Sequence, residues 1–225
     1  MTKENIIDIV NKYLKKHNCS NEISIGYSYH IDRFYDTIER LKKTNFNGKV
    51  LEIGGYDAIS DIIRTKFPDN RYCNTNFDLR HSFPYRDNSF DFIINTEVIE
   101  HLSPLDVPSI STFYPVSVEN LLKECYRVLR PGGIMFLTTP NVTSYVIIDR
   151  VLGGYLPWMY WLHYKEYTVE QIREFLLKAN FNIKYIETVY TFIPKDRLMH
   201  IENILKSNGY SINNRGDSIV SEVVK

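Results

Sequence analysis

The chain has 225 residues, 44% hydrophobic and 24% charged, a composition that argues against intrinsic disorder and fits one α/β domain over residues 1–225. Lysine plus arginine and aspartate plus glutamate are equal at 27 each, and this balance argues against nucleic acid as a partner, because phosphate binding normally needs clustered basic residues. The sequence contains no apolar run of about 20 residues and no signal-peptide pattern. Its three cysteines are far apart and lack the spacing of a metal site or a disulfide, which predicts reduced thiols in a cytoplasmic protein.

Hydrophobic spacing along the chain predicts helices that alternate with short apolar strands. In chain order the predicted elements are helix 3–16, helix 30–43, strand 49–54, helix 57–66, strand 71–77, strand 89–96, helix 117–130, strand 133–140, helix 168–179, strand 181–190 and strand 218–225. Thr168 is predicted to cap helix 168–179, and Pro131-Gly132-Gly133 is predicted to end helix 117–130. This order predicts a parallel sheet with helices on both faces and an added hairpin-like pair of strands at its end.

The first predicted strand ends in a glycine pair, Gly54-Gly55, with Glu52 before it and Tyr56 after it. In a sheet of this kind ligands bind beyond the C-terminal ends of the strands, and glycine lets the backbone turn sharply and approach a ligand closely. The acid is suited to pair with a cationic group. Taken alone, a glycine pair after a strand is more often a plain tight turn.

Three segments in order carry a more specific signal: VLEIGG (50–55), FPYRDNSFDFIINTEVIEHL (83–102) and LLKECYRVLRPGGIMFLTTPN (121–141). They resemble the successive motifs of class I S-adenosylmethionine (SAM)-dependent methyltransferases, in the group that includes the ubiquinone-pathway enzymes. The resemblance covers roughly residues 48–190. It implies a Rossmann-like methyltransferase sheet with an antiparallel C-terminal strand, SAM as cofactor, and methyl transfer as the activity.

The resemblance also implies a set of SAM-binding residues, with departures from the family pattern. The later glycines of the first motif are lost, and Tyr56 is expected to cover the cofactor instead. Too few residues separate Gly55 from Asp91 for the usual two strands and intervening helix, so we expect a sheet shortened in the region of strands two and three. Asp78 is the one well-placed acid for the ribose or adenine, with a turn cap as the alternative. The expected cofactor residues are Glu52, Gly54, Gly55, Tyr56, Asp78, Leu79, Asn95, Thr96 and Glu97.

Candidate catalytic residues follow the 89–96 strand in TEVIEHL (96–102). At helical spacing Glu97, Glu100 and His101 share a face. With the distant His163 the set is similar to the metal site of small-RNA 3′-terminal 2′-O-methyltransferases, and it also occurs in metal-free relatives. Three interpretations stay open: a divalent-cation site, a catalytic and positioning group, and a salt-bridged helix start. In the catalytic interpretation His101 is the first candidate for general base, His163 the second, and Glu97 assists.

Two regions are expected to face the ligand side of the sheet. Residues 103–117 form an insertion after the His101 motif, and residues 142–166 a substrate lid rich in Tyr155, Trp158, Tyr160, Trp161 and Tyr164. The lid predicts a cover over an apolar, aromatic or sugar-containing acceptor; peripheral membrane contact, core packing and a dimer contact are the alternatives. At the N-terminus, residues 1–47 are expected to form a helical cap, in which Arg33 either covers the cofactor or only packs.

The function expected from these features is O-methylation, by SAM, of a small-molecule, sugar or lipid-linked hydroxyl. The closing stretch RGDSIVSEVVK (215–225) is similar to the ending of methyltransferases found with polysaccharide and glycolipid assembly, which favours the sugar or lipid-linked acceptor. Two alternatives remain: a metal-dependent methyltransferase acting on the 3′-terminal 2′-hydroxyl of RNA, and a non-catalytic SAM-binding protein. The sequence does not predict an oligomeric state.

Overall fold

The computed structural model describes residues 1–103 and 116–225, which form a six-stranded mixed sheet with helices on both faces. Two short 3₁₀ turns cover Ile99–His101 and Lys195–Leu198. The helices are α1 (Lys3–Lys16), α2 (Asn21–Tyr29), α3 (Ile31–Leu41), α4 (Ala58–Lys66), α5 (Val116–Val128), α6 (Tyr145–Leu152), α7 (Val169–Lys178) and α8 (Met199–Ser207). The strands are β1 (Lys49–Ile53), β2 (Arg71–Asn74), β3 (Phe90–Thr96), β4 (Leu129–Pro140), β5 (Asn182–Val189) and β6 (Ser218–Val224).

The order of strands across the sheet is β2-β1-β3-β4-β6-β5. β2, β1, β3 and β4 are parallel, so their C-terminal ends lie at one edge, whereas β6 runs antiparallel to both of its neighbours. Between β2 and β3 the described residues 75–89 contain neither helix nor strand. The expected shortening of the sheet is therefore confirmed.

The loop that replaces the missing strand is held by specific contacts. Phe77 packs edge-to-face on Phe83 and on Tyr85, with ring centroids 5.1 and 5.9 Å apart. Arg127 of α5 donates hydrogen bonds to the carbonyls of Phe83 and Tyr85, at 3.0 and 2.8 Å. These side-chain bonds satisfy backbone groups that a strand would otherwise pair.

The last two strands correct the expectation of a hairpin-like pair. β5 and β6 are antiparallel, but α8 lies in the connection between them, and β6 is inserted between β4 and β5. Burial explains the order: six of the seven β6 residues are buried, as an interior strand requires, whereas β5 alternates between exposed and partly buried residues, as an edge strand can. Because β6 is covered on both sides, it is suited to the interior position.

The helices cover the two faces of the sheet with separate apolar clusters. Helices α1, α3 and α4 pack on one face through residues such as Ile6, Phe34 and Ile62. On the other face α5 and α7 pack through residues such as Leu121 and Ile172. A third cluster joins α6 to α8. Helices α1 and α3 thus pack, together with α4, on a single face of the sheet.

Local signals at helix ends differ in outcome. The capping box at Thr168 is confirmed, with Gln171 as its partner. Pro131-Gly132-Gly133 does not end α5, which stops at Val128; it forms an irregularity within β4, where the register with β3 shifts between Phe90 and Phe92. Helix α2 was not predicted because none of its residues is buried and no apolar face marks it. Among the residues the structure describes, no helix has the length and apolarity to cross a membrane.

Candidate active site

The turn from β1 to α4 depends on its two glycines. Gly54 and Gly55 have φ angles of +97° and +95°, a region that side chains strongly disfavour. A Cβ on Gly54 would lie 2.6 Å from Cγ2 of Val98, so the segment after β3 approaches this turn too closely for any side chain. Asp57 then begins α4 by accepting hydrogen bonds from the backbone N–H groups of Ile59 and Ser60.

A cleft opens at this turn, between the C-terminal ends of β1 and β3. Of the expected cofactor residues, those that line it are Glu52, Gly54, Gly55, Thr96 and Glu97, together with the additional residues Asp57 and Val98. The remaining expected residues, Tyr56, Asp78, Leu79 and Asn95, are not among its lining residues. The sheet therefore brings together the glycine turn and the acidic end of β3, as the strand order requires.

Glu52 is buried and already has a cationic partner. Its carboxylate pairs with the Arg64 guanidinium and accepts a hydrogen bond from Asn74 Nδ2 at 2.9 Å. Burial raises the pKa of Glu52, and Arg64 opposes that shift. Asn74 ends β2, and it also donates to the Gly55 carbonyl at 3.0 Å. Asn74 is not among the residues predicted from the sequence, because the predicted strand 71–77 ends three residues after the observed one.

Tyr56 turns away from the cleft. Its hydroxyl donates to the Asp61 carboxylate, and Arg64 lies over its ring, 4.9 Å from the centroid. These contacts hold the ring against α4, so the expected cover over a cofactor would require it to move.

Asp78 takes the geometry of a turn residue. Its carboxylate accepts from the backbone N–H of Arg80 at 2.9 Å and pairs with the Arg80 guanidinium at 2.7 Å. These contacts lower the pKa of Asp78. Leu79 packs, partly buried, against the α5 side of the sheet. Its position is outside the cleft described above.

Asn95 lies on the opposite face of the sheet from the cleft. Its neighbours Ile94 and Thr96 line the cleft, and since side chains alternate along a strand, Asn95 points to the other side. It is fully buried, and neither polar atom of its amide has a hydrogen-bond partner among the described residues. The geometry thus supports Thr96, rather than Asn95, as the cleft residue at the end of β3.

Arg33 of α3 reaches this region from the N-terminal cap. It is only 6% exposed, its Nη1 lies 4.0 Å from Glu97 Oε1, and its Nε lies 3.4 Å from His30 Nδ1. Nη1 has no hydrogen-bond partner among the described residues. Burial raises the pKa of Asp57 and the positive charge of Arg33 opposes the rise. The signal that identifies Arg33 is burial of a cation, which sequence spacing does not reveal.

Glu97 occupies a strained backbone position directly after β3, with a φ of +55°. Its N–H donates to the carbonyl of Thr138 at 2.9 Å, and its carboxylate accepts from Thr138 Oγ1 at 2.8 Å. The expected helical face shared with Glu100 and His101 is wrong, because only a single 3₁₀ turn over Ile99–His101 follows. Glu97 instead lines the cleft.

Glu100, His101 and His163 do come together. One potential ligand atom from each of the three side chains lies within 4.8 Å of the other two. Among the described residues, Glu97 does not belong to this group. Thr139 Oγ1 donates to Glu100 Oε2 at 2.8 Å, while Glu100 Oε1 has no such partner in the described chain. Burial, and then the charge of Glu97, raise the pKa of Glu100. The cluster therefore offers one carboxylate and two imidazoles, a set that suits either proton transfer or a divalent cation.

The two imidazoles differ in exposure. The His101 side chain is 42% exposed and that of His163 is 7% exposed, and their rings pack edge-to-face with centroids 4.7 Å apart. Burial lowers the pKa of His101, and the neighbouring His163 lowers it further. His101 is therefore the imidazole that an incoming acceptor can reach, and a lowered pKa keeps it in the neutral form that accepts a proton.

The aromatic segment, residues 155–164, lies beside these histidines. Tyr160 packs on His163 and His101, with ring centroids 5.5 and 6.5 Å away, and the Tyr164 N–H donates to the Glu100 carbonyl at 2.8 Å. Trp161 is 77% exposed, and Tyr155 and Tyr164 are also exposed. The core-packing alternative is therefore wrong for these three rings. The other expected insertion, 103–117, lies mostly outside the described residues.

Solved structures with this fold include two that superpose over nearly the whole chain. A SAM-dependent methyltransferase of Archaeoglobus fulgidus superposes with a TM-score of 0.58 at 16% identity, over 95% of this chain and 98% of that chain. One of Thermotoga maritima gives a TM-score of 0.56 at 17% identity, over 97% of this chain and 99% of that chain. At such low identity the likeness shows the fold alone, which is that of a Rossmann-like methyltransferase.

Sequence comparison places the chain in a family. Residues 27–186, more than half of the chain, match the family model of a methyltransferase domain, so this chain belongs to the SAM-dependent methyltransferase family. A probable SAM-dependent methyltransferase of Mycolicibacterium smegmatis is 25% identical over 177 residues, which are 75% of this chain and 55% of that protein. A ubiquinone biosynthesis O-methyltransferase of Parvibaculum lavamentivorans is 36% identical over 74 residues, 31% of this chain and 24% of that protein. The matches thus span about half or less of these relatives' length.

Proposed function

We propose that this chain binds SAM in the cleft at the β1–α4 turn and transfers its methyl group to a hydroxyl held beside His101. The amino-acid end of SAM carries both an ammonium and a carboxylate. The cleft lining offers Asp57 and Glu97 for the ammonium. Arg33 lies behind Glu97, 4.0 Å from it, and its Nη1, which has no hydrogen-bond partner among the described residues, is the nearby cation for the carboxylate. The backbone at Gly54-Gly55 allows the close approach that this placement needs.

The observation that carries the transfer step is the half-exposed His101, placed one 3₁₀ turn after the cleft residue Glu97. Bound SAM supplies an electrophilic methyl group on a positively charged sulfur. His101 takes the proton of the acceptor hydroxyl, and the lowered pKa of His101 keeps the imidazole neutral for this purpose. The cleft and the imidazole together hold the two reactants close, which supplies much of the rate gain in a transfer of this kind.

The aromatic segment supports an acceptor with an apolar or aromatic body, or one linked to a lipid. Its exposed rings adjoin both histidines, and the surrounding stretch 150–165 contains Arg150 and Lys165 but no acidic residue. Tryptophan and tyrosine flanked by basic residues are typical of protein surfaces that contact the interface of a membrane. The names of the ubiquinone-pathway relatives, which are O-methyltransferases, agree with a hydroxyl as the accepting group.

The experiment begins with calorimetric titration of SAM into the purified chain, followed by incubation with methyl-labelled SAM and fractionated cell extract. Replacing His101 with Ala should lower the transfer of label by 100-fold or more, because a positioned general base typically contributes 10²–10⁴-fold, while SAM affinity changes by less than about threefold. His17→Ala, an exposed histidine at the end of α1, is the matched control. Transfer at the wild-type rate in His101→Ala contradicts the proposal.

The Glu100–His101–His163 cluster also favours one alternative, a metal-dependent 2′-O-methyltransferase acting on RNA 3′ ends. Three ligand atoms within 4.8 Å of one another suit a divalent cation. Exhaustive chelation separates the two functions: transfer that survives it supports the base mechanism, and transfer that is lost and then restored by Mn²⁺ supports the alternative. Binding of SAM without transfer in any fraction supports a third, non-catalytic role.

A further inference from the structure

Glu166 is a fully buried carboxylate two residues after the aromatic segment, and it has no role in the proposed methyl transfer. Its side chain is 0% exposed. Oε1 accepts a hydrogen bond from the Met159 N–H at 2.7 Å and lies 2.6 Å from His163 Nδ1, while Oε2 has no partner among the described residues. A buried carboxylate is costly unless its partners are worth the desolvation, so this arrangement calls for an explanation.

The contact with Glu166 determines where His163 carries its proton. An ionised carboxylate can only accept hydrogen bonds, so Nδ1 must be the donor in the 2.6 Å contact. A neutral imidazole has a single ring N–H, and Nε2 of His163 is then left without a proton. Since Glu166 also holds the Met159 backbone, the same carboxylate fixes the loop and the ring.

The three side chains form a series from the interior to the surface. Glu166 is 0% exposed, His163 is 7% exposed, and His101, whose ring packs edge-to-face on His163, is 42% exposed. An outer imidazole that meets the acceptor is thus backed by an inner imidazole, which is in turn held by a carboxylate. A fixed inner ring favours one orientation of the outer ring, because edge-to-face packing is directional.

We infer that Glu166 is a positioning residue of the methyl-transfer site, which holds His163 as the Nδ1–H tautomer and through that ring orients His101. The catalytic consequence of this inference rests on the proposed function, whereas the tautomer of His163 is independent of that function. In the transfer, the O–CH₃ bond forms as the C–S bond breaks, the electron pair of that bond stays on sulfur, and the hydroxyl proton goes to His101. The His101 side chain, which is partly exposed, then releases the proton to solvent.

Nitrogen-15 NMR of the full-length chain labelled at histidine tests the tautomer without any acceptor. We expect His163 to appear as the Nδ1–H form, with a strongly low-field proton, because its bond to a carboxylate is charge-assisted. In Glu166→Gln that proton should move to higher field, and in Glu166→Met the tautomer preference should be lost. Glu170→Gln, an exposed carboxylate on the following helix, should change neither.

An Nε2–H tautomer in the wild type, or an unchanged His163 spectrum in both Glu166 variants, overturns the inference. If Glu166→Met fails to fold, the wild-type tautomer and Glu166→Gln still decide the question. Mn²⁺ that selectively broadens the His163 and His101 signals at micromolar concentration would show that the two rings are metal ligands. This result overturns the inference that Glu166 orients His101 as a proton acceptor, whereas the Nδ1–H tautomer of His163 is compatible with a metal on Nε2.

Methyl transfer provides the second readout. Glu166→Gln should lower kcat by at least tenfold while the Kd for SAM stays within twofold of wild type, and Glu166→Asp should recover part of the loss. A loss of SAM affinity equal to the loss of kcat would indicate a merely structural role and contradict the inference. Failure of the wild-type chain to bind SAM would instead contradict the proposed function, and the tautomer result would stand independently of it.

Discussion

Arg33 shows how much the character of one residue depends on its partners. A guanidinium that is 6% exposed, and whose Nη1 has no hydrogen-bond partner in the described part of the chain, is costly to bury. The Glu97 carboxylate does not satisfy this atom, since its Oε1 lies 4.0 Å away. A ligand carboxylate in the cleft would supply the missing partner. The burial cost is therefore consistent with a site prepared for an anion.

Replacing Arg33 with Met should weaken SAM binding by about 10- to 100-fold, because a hydrogen bond to a charged group contributes about 1.5–3 kcal/mol. Binding of 5′-methylthioadenosine, which lacks the amino-acid end, should be unaffected. Both are measured by isothermal titration calorimetry. Arg40→Met, on the same helix but paired with Asp36 and Glu187, should leave both affinities unchanged. An equal loss for the two ligands would contradict the assignment of Arg33 to the carboxylate.

At the scale of elements, the site exists because two turns meet at the edge of the sheet. The β1–α4 turn and the segment after β3 approach so closely that Gly54 has no space for a side chain beside Val98. The same closeness places the Glu97 carboxylate in the cleft, where Thr138 of β4 holds it. Neighbouring parallel strands thus build the site from three segments that are distant in sequence.

Gly54→Ala should therefore destabilise the chain and abolish most SAM binding. The positive φ costs about 1–2 kcal/mol for an L-residue, and overpacking against Val98 adds about 1–3 kcal/mol. Gly209→Ala is the matched control, since Gly209 also has a positive φ (+73°) but open space around its Cβ position. Gly209→Ala should lower the free energy of unfolding only by the cost of the positive φ, about 1–2 kcal/mol, and leave SAM affinity unchanged. Urea unfolding and calorimetry measure the two effects; equal destabilisation in both variants would contradict the close approach.

At the scale of the whole molecule, the helical cover of the sheet and the aromatic segment are built differently. Helices α1 and α3 pack on the sheet through an apolar cluster, whereas the aromatic segment beside His101 and His163 leaves most of its rings exposed. The chain as a whole has no net charge, but the stretch 150–165 has two basic and no acidic residues. An apolar, locally basic surface next to the histidines is suited to a lipid-linked acceptor at an anionic membrane.

This surface predicts that the chain sediments with vesicles containing phosphatidylglycerol and less with vesicles of phosphatidylcholine alone. The double variant Trp161→Ser, Tyr164→Ser should lower the bound fraction severalfold, because interfacial binding depends on buried apolar area. Tyr210→Ser, which alters a tyrosine of comparable exposure (65%) outside the segment, should have no effect. Equal binding of wild type and double variant would contradict membrane contact by this segment.

The sequence by itself determined the features that depend on neighbours along the chain. The alternation of strands and helices, the glycine turn after β1, the cap at Thr168 and the shortened sheet all follow from local spacing and from the length between Gly55 and Asp91. These signals are short-range, because backbone propensity and side-chain period act over a few residues. The family motifs are likewise short contiguous segments, so the sequence alone identifies them.

Only the tertiary structure decided which side chains share a site. It separated Glu97 from Glu100 and His101, joined Glu166 to His163, placed Arg33 beside Glu97, turned Tyr56 away from the cleft, and inserted β6 between β4 and β5. Each outcome depends on burial and on partners from other segments: Glu97 is held by Thr138, 41 residues away. No local pattern encodes such pairs, because the free energy that selects them arises when the sheet and helices pack together.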